Sequence, residues 1–255
     1  MNANNLFDLT GRVAVVTGAS KGIGESIAKL LAQNGAEVIV SSRKQDSVQE
    51  VADEIKKQGY KAEAMAAHMG DMASIAQLVQ NIGTKYGRLD IIVNNAATNP
   101  VFGSVENCSL EAFDKIMEVN VKGCFQLAKE ALPLLKKNKN ASIINMSSVG
   151  GISPEPGLGI YSVSKTALIM LTKVMAKEWG AYGIRANVIC PGLIKTKFSE
   201  ALWKNEQVSD HLLKELPISR IGMPEDIAGL TLFLASDAAA YSTGGVFVAD
   251  GGMLI

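Results

Sequence analysis

Short runs of aliphatic and β-branched residues alternate with helical segments along the whole 255-residue chain. Runs such as Val13–Thr17, Leu89–Asn94 and Ser142–Met146 lack the polar alternation of a half-exposed strand. Strands of this kind are buried on both faces and are joined by crossover helices, as in parallel sheets. The pattern therefore predicts an α/β fold: one doubly wound domain over residues 1–255 with a seven-stranded parallel sheet.

Composition narrows the range of partners. Lys and Arg together number 25, and so do Asp and Glu, so the chain carries no net charge that would attract nucleic acid or an anionic membrane. The three cysteines show no metal-ligand spacing, and we expect no metal site and no disulfide framework. No apolar run is long enough to span a bilayer, and residues 1–10 lack the apolar core of a signal peptide. We expect a cytoplasmic protein with a small-molecule substrate.

A glycine-rich turn closes the first strand. Gly18 would let the chain turn sharply, while Gly22 and Gly24 would leave room for a pyrophosphate and for close packing of helix on sheet. The helix that opens at Ile23 would offer free amides and a positive dipole end to the phosphates. The turn predicts a dinucleotide cradle over Thr17–Gly24, with Ser20 and Lys21 inside it.

Basic residues follow the second strand, where many NAD-binding proteins place an acid that bonds the ribose hydroxyls. This chain has Ser42, Arg43 and Lys44 there, and arginine can bind a phosphate bidentately. The other interpretation is that Arg43 and Lys44 merely solvate the start of a helix. We expect the phosphate role, and therefore NADP(H) in preference to NAD(H).

A tyrosine and a lysine, Tyr161 and Lys165, lie four residues apart on one helix face, and Ser148 precedes them at the end of a strand. A nearby ammonium, together with a bound cationic nicotinamide, is expected to lower the pKa of a phenol and so favour the phenolate. Tyr161 would then exchange a proton with a carbonyl oxygen, while Ser148 would hydrogen-bond the same oxygen. Such pairs also arise by chance on helix surfaces, and only the combination with the cradle makes the prediction specific.

With these motifs in place, the chain resembles the short-chain dehydrogenase/reductase family over essentially its whole length. The family resemblance implies a Rossmann-type fold with catalytic roles for Asn120, Ser148, Tyr161 and Lys165. Asn120 would help to hold a water that connects Lys165 to solvent. It also implies further cofactor contacts, beside those of the cradle, from Asn95, Ala96, Ala97, Tyr161, Lys165, Pro191, Gly192, Ile194 and Thr196.

Two points of the resemblance are specific to this chain. His68 and Met69 fall where the family places residues beside the adenine, although His68 could equally be a histidine that ends a strand. Ala97 replaces the glycine that usually ends the family's Asn-Asn-Ala-Gly turn, and its methyl group is tolerable only if φ is negative there.

Within the family, the chain resembles more closely the NADPH-dependent carbonyl reductases of the dehydrogenase/reductase member-four type. It rests on stretches such as Ser41–Lys44 and Asn99–Gly103, and it implies a homotetramer. The subunit contacts would come from the two long helices that follow the fourth and fifth strands. Residues on those helices that could face a partner are Val121, Phe125, Leu132, Leu171 and Trp179.

The predicted function is an NADP(H)-dependent oxidoreductase that interconverts a ketone or aldehyde and an alcohol by hydride transfer. A polar insert at about 195–217 would form a substrate lid. Residues that could line an apolar wall, or simply pack the lid, are Pro156, Leu158, Phe198, Leu202 and Trp203.

Two other functions remain open. One is a 3-oxoacyl thioester reductase or a sugar or polyol dehydrogenase. Lys195, Lys197 and Lys204 could supply the basic patch that an acyl carrier needs. The other is a dinucleotide sensor without catalysis.

Overall fold

The computed structural model describes residues 6–204, 213–214 and 216–255. Within these ranges, one sheet of seven parallel strands has the order β3-β2-β1-β4-β5-β6-β7. The strands are Val13–Thr17 (β1), Glu37–Ser41 (β2), Ala62–Ala64 (β3), Ile91–Asn94 (β4), Ala141–Met146 (β5), Ile184–Pro191 (β6) and Val246–Ala249 (β7). The prediction of a single doubly wound α/β domain with a seven-stranded parallel sheet is confirmed.

The main helices lie on both faces of the sheet. They are Gly22–Gln33 (α1), Gln45–Lys57 (α2), Met72–Tyr86 (α3), Leu110–Met117 (α4), Gly123–Leu135 (α5), Gly159–Trp179 (α6), Glu200–Trp203 (α7) and Pro224–Ala235 (α8). A π-helical turn over Glu118–Lys122 joins α4 to α5. The helical stretch between Leu110 and Leu135 is therefore interrupted by a wider turn, and Pro133 lies inside α5 near its end.

The strands divide their side chains between two cores. In β1, Val16 packs with α1, α2 and α8, whereas the neighbouring Val15 packs with α3 and α5 on the opposite face. The same alternation separates Ile144 from Ile143 in β5. All of these side chains are fully buried, which explains why the strands read as continuous apolar runs in the sequence.

The strand order reverses between β1 and β4, which places a crevice at the carboxyl ends of these two strands. The loops that leave β1, β4, β5 and β6 all emerge at this edge, and they carry the residues of the predicted site. None of the helices in the described ranges is both long and apolar enough to cross a membrane. Nor do the described side chains form a cluster that could hold a metal ion.

The structure describes part of the segment at about 195–217 that is predicted to form a lid. The segment leaves β6, forms the short helix α7, and is tied back to the body by a bridge between Ile194 and Gly222. Residues 205–212 and 215 lie outside the described ranges.

Candidate active site

The glycines of the cradle are packed so closely against neighbouring atoms that a residue with a side chain cannot replace them. Gly18 has φ +64°, and a Cβ atom there would lie 2.9 Å from Cα of Ala96. A Cβ on Gly24 would lie 2.5 Å from the carbonyl oxygen of Gly18. Such distances are shorter than van der Waals contact, so the turn after β1, the start of α1 and the loop after β4 form one compact unit.

The loop after β4 is bonded directly to this turn. The Thr17 hydroxyl accepts hydrogen bonds from the backbone amides of Asn95 (3.0 Å) and Ala96 (3.1 Å). The Asn95 amide group donates to the carbonyl oxygens of Thr17 (2.9 Å) and Gly18 (3.2 Å). The side chain of Asn95 therefore holds the cradle in shape. Ala97 keeps a negative φ, as its methyl group requires, since no described non-glycine residue has a positive φ.

The segment after β6 packs against the glycine cradle. A Cβ on Gly22, which has φ +63°, would lie 3.2 Å from the Thr196 methyl group. Ile194 is buried and pairs with Gly222, and Gly192 donates its amide to the carbonyl oxygen of Ala249 at 3.0 Å. The residues predicted in the cradle and those predicted near the end of β6 are thus brought together.

The basic residues after β2 lie next to the cradle. Ser41, the last residue of β2, accepts a hydrogen bond at its carbonyl oxygen from the Ala19 amide of the turn (3.0 Å). Ser42 is half-buried beyond it, and Arg43 and Lys44 are exposed. Lys44 stands at the N-terminus of α2 without a side-chain cap. None of the ion pairs within the described ranges involves Arg43, Lys44 or Lys21, and all three side chains are exposed.

His68 and Met69 occupy different environments on the far side of the cradle. The His68 ring turns back on its own loop, where Nδ1 accepts the Gly70 amide at 2.9 Å. The Met69 side chain is buried in the core under α3, and its carbonyl oxygen is packed against Gly123 at the start of α5. Of the two, only His68 keeps a partly exposed side chain.

Tyr161 and Lys165 lie on the first turns of α6, facing the carboxyl end of β5. Lys165 is 2% exposed, and its Nζ donates to the carbonyl oxygen of Met146 at 2.7 Å. The same Nζ lies 5.5 Å from the centre of the Tyr161 ring. An ammonium group has three protons, so two remain for other partners. The pair predicted from the sequence therefore lies side by side at the crevice.

The protonation of this pair depends on its burial. Burial raises the pKa of Tyr161 to about 12, against the opposing effect of a hydrogen bond with Ser148. Burial also lowers the pKa of Lys165 to about 8. In the chain by itself, withdrawal from water disfavours the charged form of both groups, and the lowering of the Tyr161 pKa by the ammonium together with a bound nicotinamide stays a prediction.

Ser148 stands between β5 and α6 and contacts the tyrosine. Its hydroxyl accepts the Gly150 amide at 3.1 Å, and its proximity to the Tyr161 phenol opposes the rise in the pKa of that group. Two polar groups, the Ser148 hydroxyl and the Tyr161 phenol, therefore meet at one point, as a carbonyl oxygen that accepts two hydrogen bonds would require.

Asn120 is fully buried in the π-helical turn, and its side chain is bonded on both sides. Its amide group donates to the carbonyl oxygen of Thr98 and to the Ser164 hydroxyl, each at 3.0 Å, and its Oδ1 accepts the Thr98 amide at 2.8 Å. The Ser164 hydroxyl in turn donates to the carbonyl oxygen of Tyr161 at 2.6 Å. Asn120 therefore connects the loop after β4 to the helix that carries the tyrosine.

The lid segment brings an aromatic ring to the tyrosine. Phe198 is 57% exposed, and its ring centre lies 6.1 Å from that of Tyr161. Trp203 instead packs within the lid, since its indole donates to the carbonyl oxygen of Thr196 at 2.8 Å. Of the two aromatic residues expected either to line an apolar wall or to pack the lid, Phe198 lies at the site and Trp203 packs within the lid.

The lysines of the lid are mostly paired within it. Glu200 forms ion pairs with Lys197 and, at 2.6 Å, with Lys204, and these cations lower the pKa of its carboxyl to about 2. Lys195 lies over the Trp203 ring at 5.3 Å from its centre. The charge available to an acyl carrier is therefore smaller than the sequence suggested.

Several supporting groups were not assigned a role from the sequence. Thr98 and Ser164 hold site residues by hydrogen bonds, and Glu155 carries a charge that raises the pKa of Tyr161. Thr17 was included in the predicted cradle, but its hydrogen bonds to the loop after β4 were not predicted. Glu155 gave no local signal, because its distance to Tyr161 depends on the path of the loop before α6.

The arrangement fits a dinucleotide. The cradle leaves no room for side chains where the turn meets α1, and the first amides of α1 have no side-chain cap. Among the described residues, Lys165 Nζ donates to one acceptor, the carbonyl oxygen of Met146, so two of its protons could serve hydroxyl groups of a ligand.

Comparisons with known proteins agree with this description. A family profile described as enoyl-(acyl carrier protein) reductase matches residues 18–254. Dehydrogenase/reductase SDR family member 4 of Oryctolagus cuniculus is 41% identical over 244 residues, which cover 96% of this chain and 94% of that protein.

Solved structures extend the likeness to the fold. A gluconate 5-dehydrogenase from Burkholderia cenocepacia in complex with NADP and tartrate has a TM-score of 0.95 and 30% identity, covering 99% of this chain and 98% of that one. A 7α-hydroxysteroid dehydrogenase complexed with NADH and 7-oxo glycochenodeoxycholic acid has a TM-score of 0.94 and 32% identity, covering 99% and 97%. The chain thus belongs to the short-chain dehydrogenase/reductase family, whose members are oxidoreductases acting on alcohol and carbonyl groups with a nicotinamide dinucleotide.

Proposed function

We propose that the protein is an NADP(H)-dependent reductase of ketones or aldehydes in which Tyr161 is the general acid and base. The observation that carries the proposal is the proximity of Tyr161, Ser148 and Lys165 at the carboxyl end of β5. They lie beside a glycine cradle flanked by basic residues that form no ion pair within the described ranges. The nicotinamide, when bound, supplies or accepts the hydride.

The roles of the residues follow from their protonation. With a pKa of about 12, Tyr161 stays protonated at neutral pH and can donate its proton to the carbonyl oxygen of the substrate. Lys165, with a pKa of about 8, is mostly charged at pH 7 and stabilises the phenolate left behind. The Ser148 hydroxyl donates to the same substrate oxygen while negative charge develops there. In alcohol oxidation the proton returns to Tyr161.

The cofactor preference rests on the edge after β2. Ser42, Arg43 and Lys44 occupy the position of the ribose-binding acid of many NAD-dependent proteins. A 2′-phosphate would give Arg43 and Lys44 the anion that they lack among the described side chains. The remaining predicted cofactor contacts, including His68 and Met69 beside the adenine and Ile194 and Thr196 beside the carboxamide, belong to the same proposal.

The assembly and location are part of the proposal as well. We expect a cytoplasmic homotetramer built through α4, α5 and α6, with a substrate lid at about 195–217 and a small-molecule substrate. Exposed apolar residues on one side of α6, Val163, Met170 and Val174, support the choice of that surface.

A 3-oxoacyl thioester reductase remains the second candidate, because the matching family profile carries an acyl-carrier description. Against this candidate, Lys197 and Lys204 are paired with Glu200 within the lid, which leaves less positive charge to bind an acyl carrier. The substrate panel below separates the two.

The test is consumption of NADPH and NADH with an α-diketone, an aromatic ketone, a quinone, an acetoacetyl thioester and a sugar lactone. We expect turnover with NADPH on the diketone or aromatic ketone, and a Tyr161→Phe variant that loses at least ~10²-fold in turnover, the usual size of a general-acid contribution. The variant should bind NADPH normally, since the cradle is untouched. Turnover confined to the thioester would move the assignment to acyl substrates. Wild-type rates in Tyr161→Phe would remove the tyrosine from the mechanism, and cofactor binding without any turnover would favour the sensor.

A further inference from the structure

Three consecutive residues where β5 ends form hydrogen bonds to α6. The Asn145 amide group donates to the Thr172 hydroxyl at 2.8 Å, about two turns beyond Lys165. The Met146 carbonyl oxygen accepts a hydrogen bond from Lys165 Nζ at 2.7 Å. The Ser147 hydroxyl donates to the main-chain carbonyl oxygen of Lys165 at 2.8 Å. Lys165 is therefore bonded to the end of β5 both at its ammonium group and at its main chain.

The Ser147 hydroxyl is enclosed and held in place. Ser147 is 5% exposed, and its backbone amide donates to the carbonyl oxygen of Ile189 in β6 at 2.8 Å. The turn after Ser148 covers the hydroxyl, because a Cβ atom on Gly151 would lie 2.8 Å from Ser147 Oγ and 2.8 Å from the carbonyl carbon of Lys165. The turn thus leaves no space on that side for a water molecule to replace the bond.

The bond from Ser147 is additional to those that the helix makes by itself. Within α6 the carbonyl oxygen of Lys165 accepts the amide four residues later, as in any α-helix. A lysine side chain is a flexible four-carbon stem. With its main chain held by Ser147 and its ammonium by Met146, both ends of this stem are fixed to β5. The place of Nζ, 5.5 Å from the centre of the Tyr161 ring, depends on both bonds.

A second serine of β5 makes the same kind of bond to a different helix. Ser142 is fully buried near the start of the strand, and its hydroxyl donates to the carbonyl oxygen of Leu234 in α8 at 2.8 Å. Because an odd number of positions separates Ser142 from Ser147, the two side chains lie on opposite faces of the sheet. Removal of either hydroxyl breaks one buried bond between β5 and a helix, but only the loss of the Ser147 hydroxyl reaches Lys165.

The titratable groups around Lys165 are Tyr161, Cys124 and Cys190. Tyr161 lies on the first turn of α6, Cys124 near the start of α5 and Cys190 near the end of β6. Burial raises the pKa of the phenol and of both thiols, whereas it lowers the pKa of Lys165 to about 8. A group here that titrates near pH 8 is therefore Lys165.

We propose that Ser147 is a positioning residue of the reaction, whose hydroxyl fixes the main chain of Lys165 and thereby the place of the ammonium group beside Tyr161. This inference rests on the proposed roles of Tyr161 and Lys165, and Ser147 acts only through Lys165. Without the hydroxyl, the bond from Lys165 Nζ to the Met146 carbonyl oxygen would lengthen. The charged form of the buried lysine would then be less well compensated, so its pKa would fall.

The first experiment follows the protonation of Lys165 in the wild type, Ser147→Ala and Ser142→Ala. Lysine labelled with carbon and nitrogen isotopes is titrated by NMR from about pH 6 to about pH 10, and Lys165→Met identifies the Lys165 signal by its loss. In Ser147→Ala we expect the midpoint to lie at least about 0.3 pH below that of the wild type, a twofold change in proton affinity. Ser142→Ala should match the wild type to within about 0.1 pH. A smaller fall, no change or a rise in Ser147→Ala, or an equal fall in Ser142→Ala, would overturn the inference.

The second experiment measures the reduction of diacetyl by NADPH with the same proteins as a function of pH. In Ser147→Ala we expect kcat at neutral pH to fall about tenfold and KM for diacetyl to stay within about twofold, because the ammonium and not the substrate is displaced. The decline of kcat at alkaline pH should begin at a lower pH, since Lys165 loses its proton earlier. Ser142→Ala should keep the kcat and the pH profile of the wild type.

Urea unfolding makes the two alanine variants comparable. Each loses one buried hydrogen bond, so the free energy of unfolding should fall by a similar amount in both, and the loss of one hydroxyl is small beside the stability of an ordinary domain. Equal kcat in the two variants would rule out the positioning role, whereas the proposed function would stand if Tyr161→Phe is slow. The lysine titration needs no turnover, so it decides the inference even where diacetyl is not a substrate.

Discussion

The basic pair Arg43 and Lys44 makes the choice of cofactor testable at single side chains. Both residues are exposed at the end of β2, and neither takes part in the ion pairs of the described ranges. If Arg43 binds a 2′-phosphate bidentately, its loss removes charge-assisted hydrogen bonds that NADH never makes. NADH, which has only hydroxyl groups there, would be nearly indifferent to the change.

For Arg43→Ala we therefore expect the dissociation constant of NADPH to rise at least about tenfold and that of NADH to stay within about twofold. Fluorescence titration of the reduced cofactors measures both. Lys57→Ala, at the opposite end of α2, is the matched control and should leave both constants unchanged. Equal weakening of NADPH and NADH would mean that Arg43 does not read the phosphate.

The π-helical turn between α4 and α5 is the element on which the site depends most. It presents Asn120 inward, where one side chain bonds both the backbone of Thr98 and the hydroxyl of Ser164. π-helical turns place one extra residue in a helix and are common at functional sites. Here the turn connects the loop beside the cradle with the first turns of α6. The Asn120 side chain therefore helps to hold both the loop that packs on the cradle and the helix that carries Tyr161.

Truncation of Asn120 should show this connection. In Asn120→Ala the partly buried amide and carbonyl of Thr98 and the buried Ser164 hydroxyl lose a partner, and we expect the free energy of unfolding to fall by about 2 kcal/mol. Urea unfolding followed by circular dichroism measures the change, and turnover should fall as well because α6 loses a tie to Thr98. Asn107→Ala, at an exposed asparagine in the same region, serves as the control. An Asn120→Ala variant as stable as the wild type would show that the three hydrogen bonds contribute little.

For the whole molecule the open question is assembly. Of the residues predicted to face a partner, Leu132, Leu171 and Trp179 pack against the subunit's own core, while Phe125 remains 40% exposed. The exposed apolar residues of α6 lie instead at Val163, Met170 and Val174, with Met170 59% exposed. We therefore predict a subunit contact through α6 that uses these exposed side chains rather than Leu132, Leu171 and Trp179.

A charge at the centre of that surface should dissociate the assembly. Met170→Lys places an ammonium where a partner subunit would bury it, at a cost that subunit contacts cannot offset. Light scattering should give a tetramer mass for the wild type and a smaller mass for the variant, with unchanged circular dichroism, since Met170 contributes little to the subunit core. Tyr60→Lys, a comparable change on a surface away from α6, should remain tetrameric. A monomeric wild type would refute the assembly prediction.

The sequence by itself determined the fold and most of the positions around the crevice. Fully buried strands such as β1 read as short apolar runs, because every residue faces one core or the other. The glycine turn and the pair Tyr161 and Lys165 were also readable, because a sharp turn and a shared helix face are set by spacing within a few residues. These features depend on residues that are close together in the sequence, so they can be predicted without the tertiary structure.

Only the tertiary structure decided the contacts between distant segments and the charges that result from burial. It brings Gly22 against Thr196, and it joins Asn120 to Ser164 across 44 positions of sequence. It also raises the pKa of Tyr161 in the chain by itself, an effect of burial that the spacing with Lys165 does not reveal. Desolvation and the approach of Glu155 depend on what surrounds a side chain in space, and no local pattern in the sequence records that.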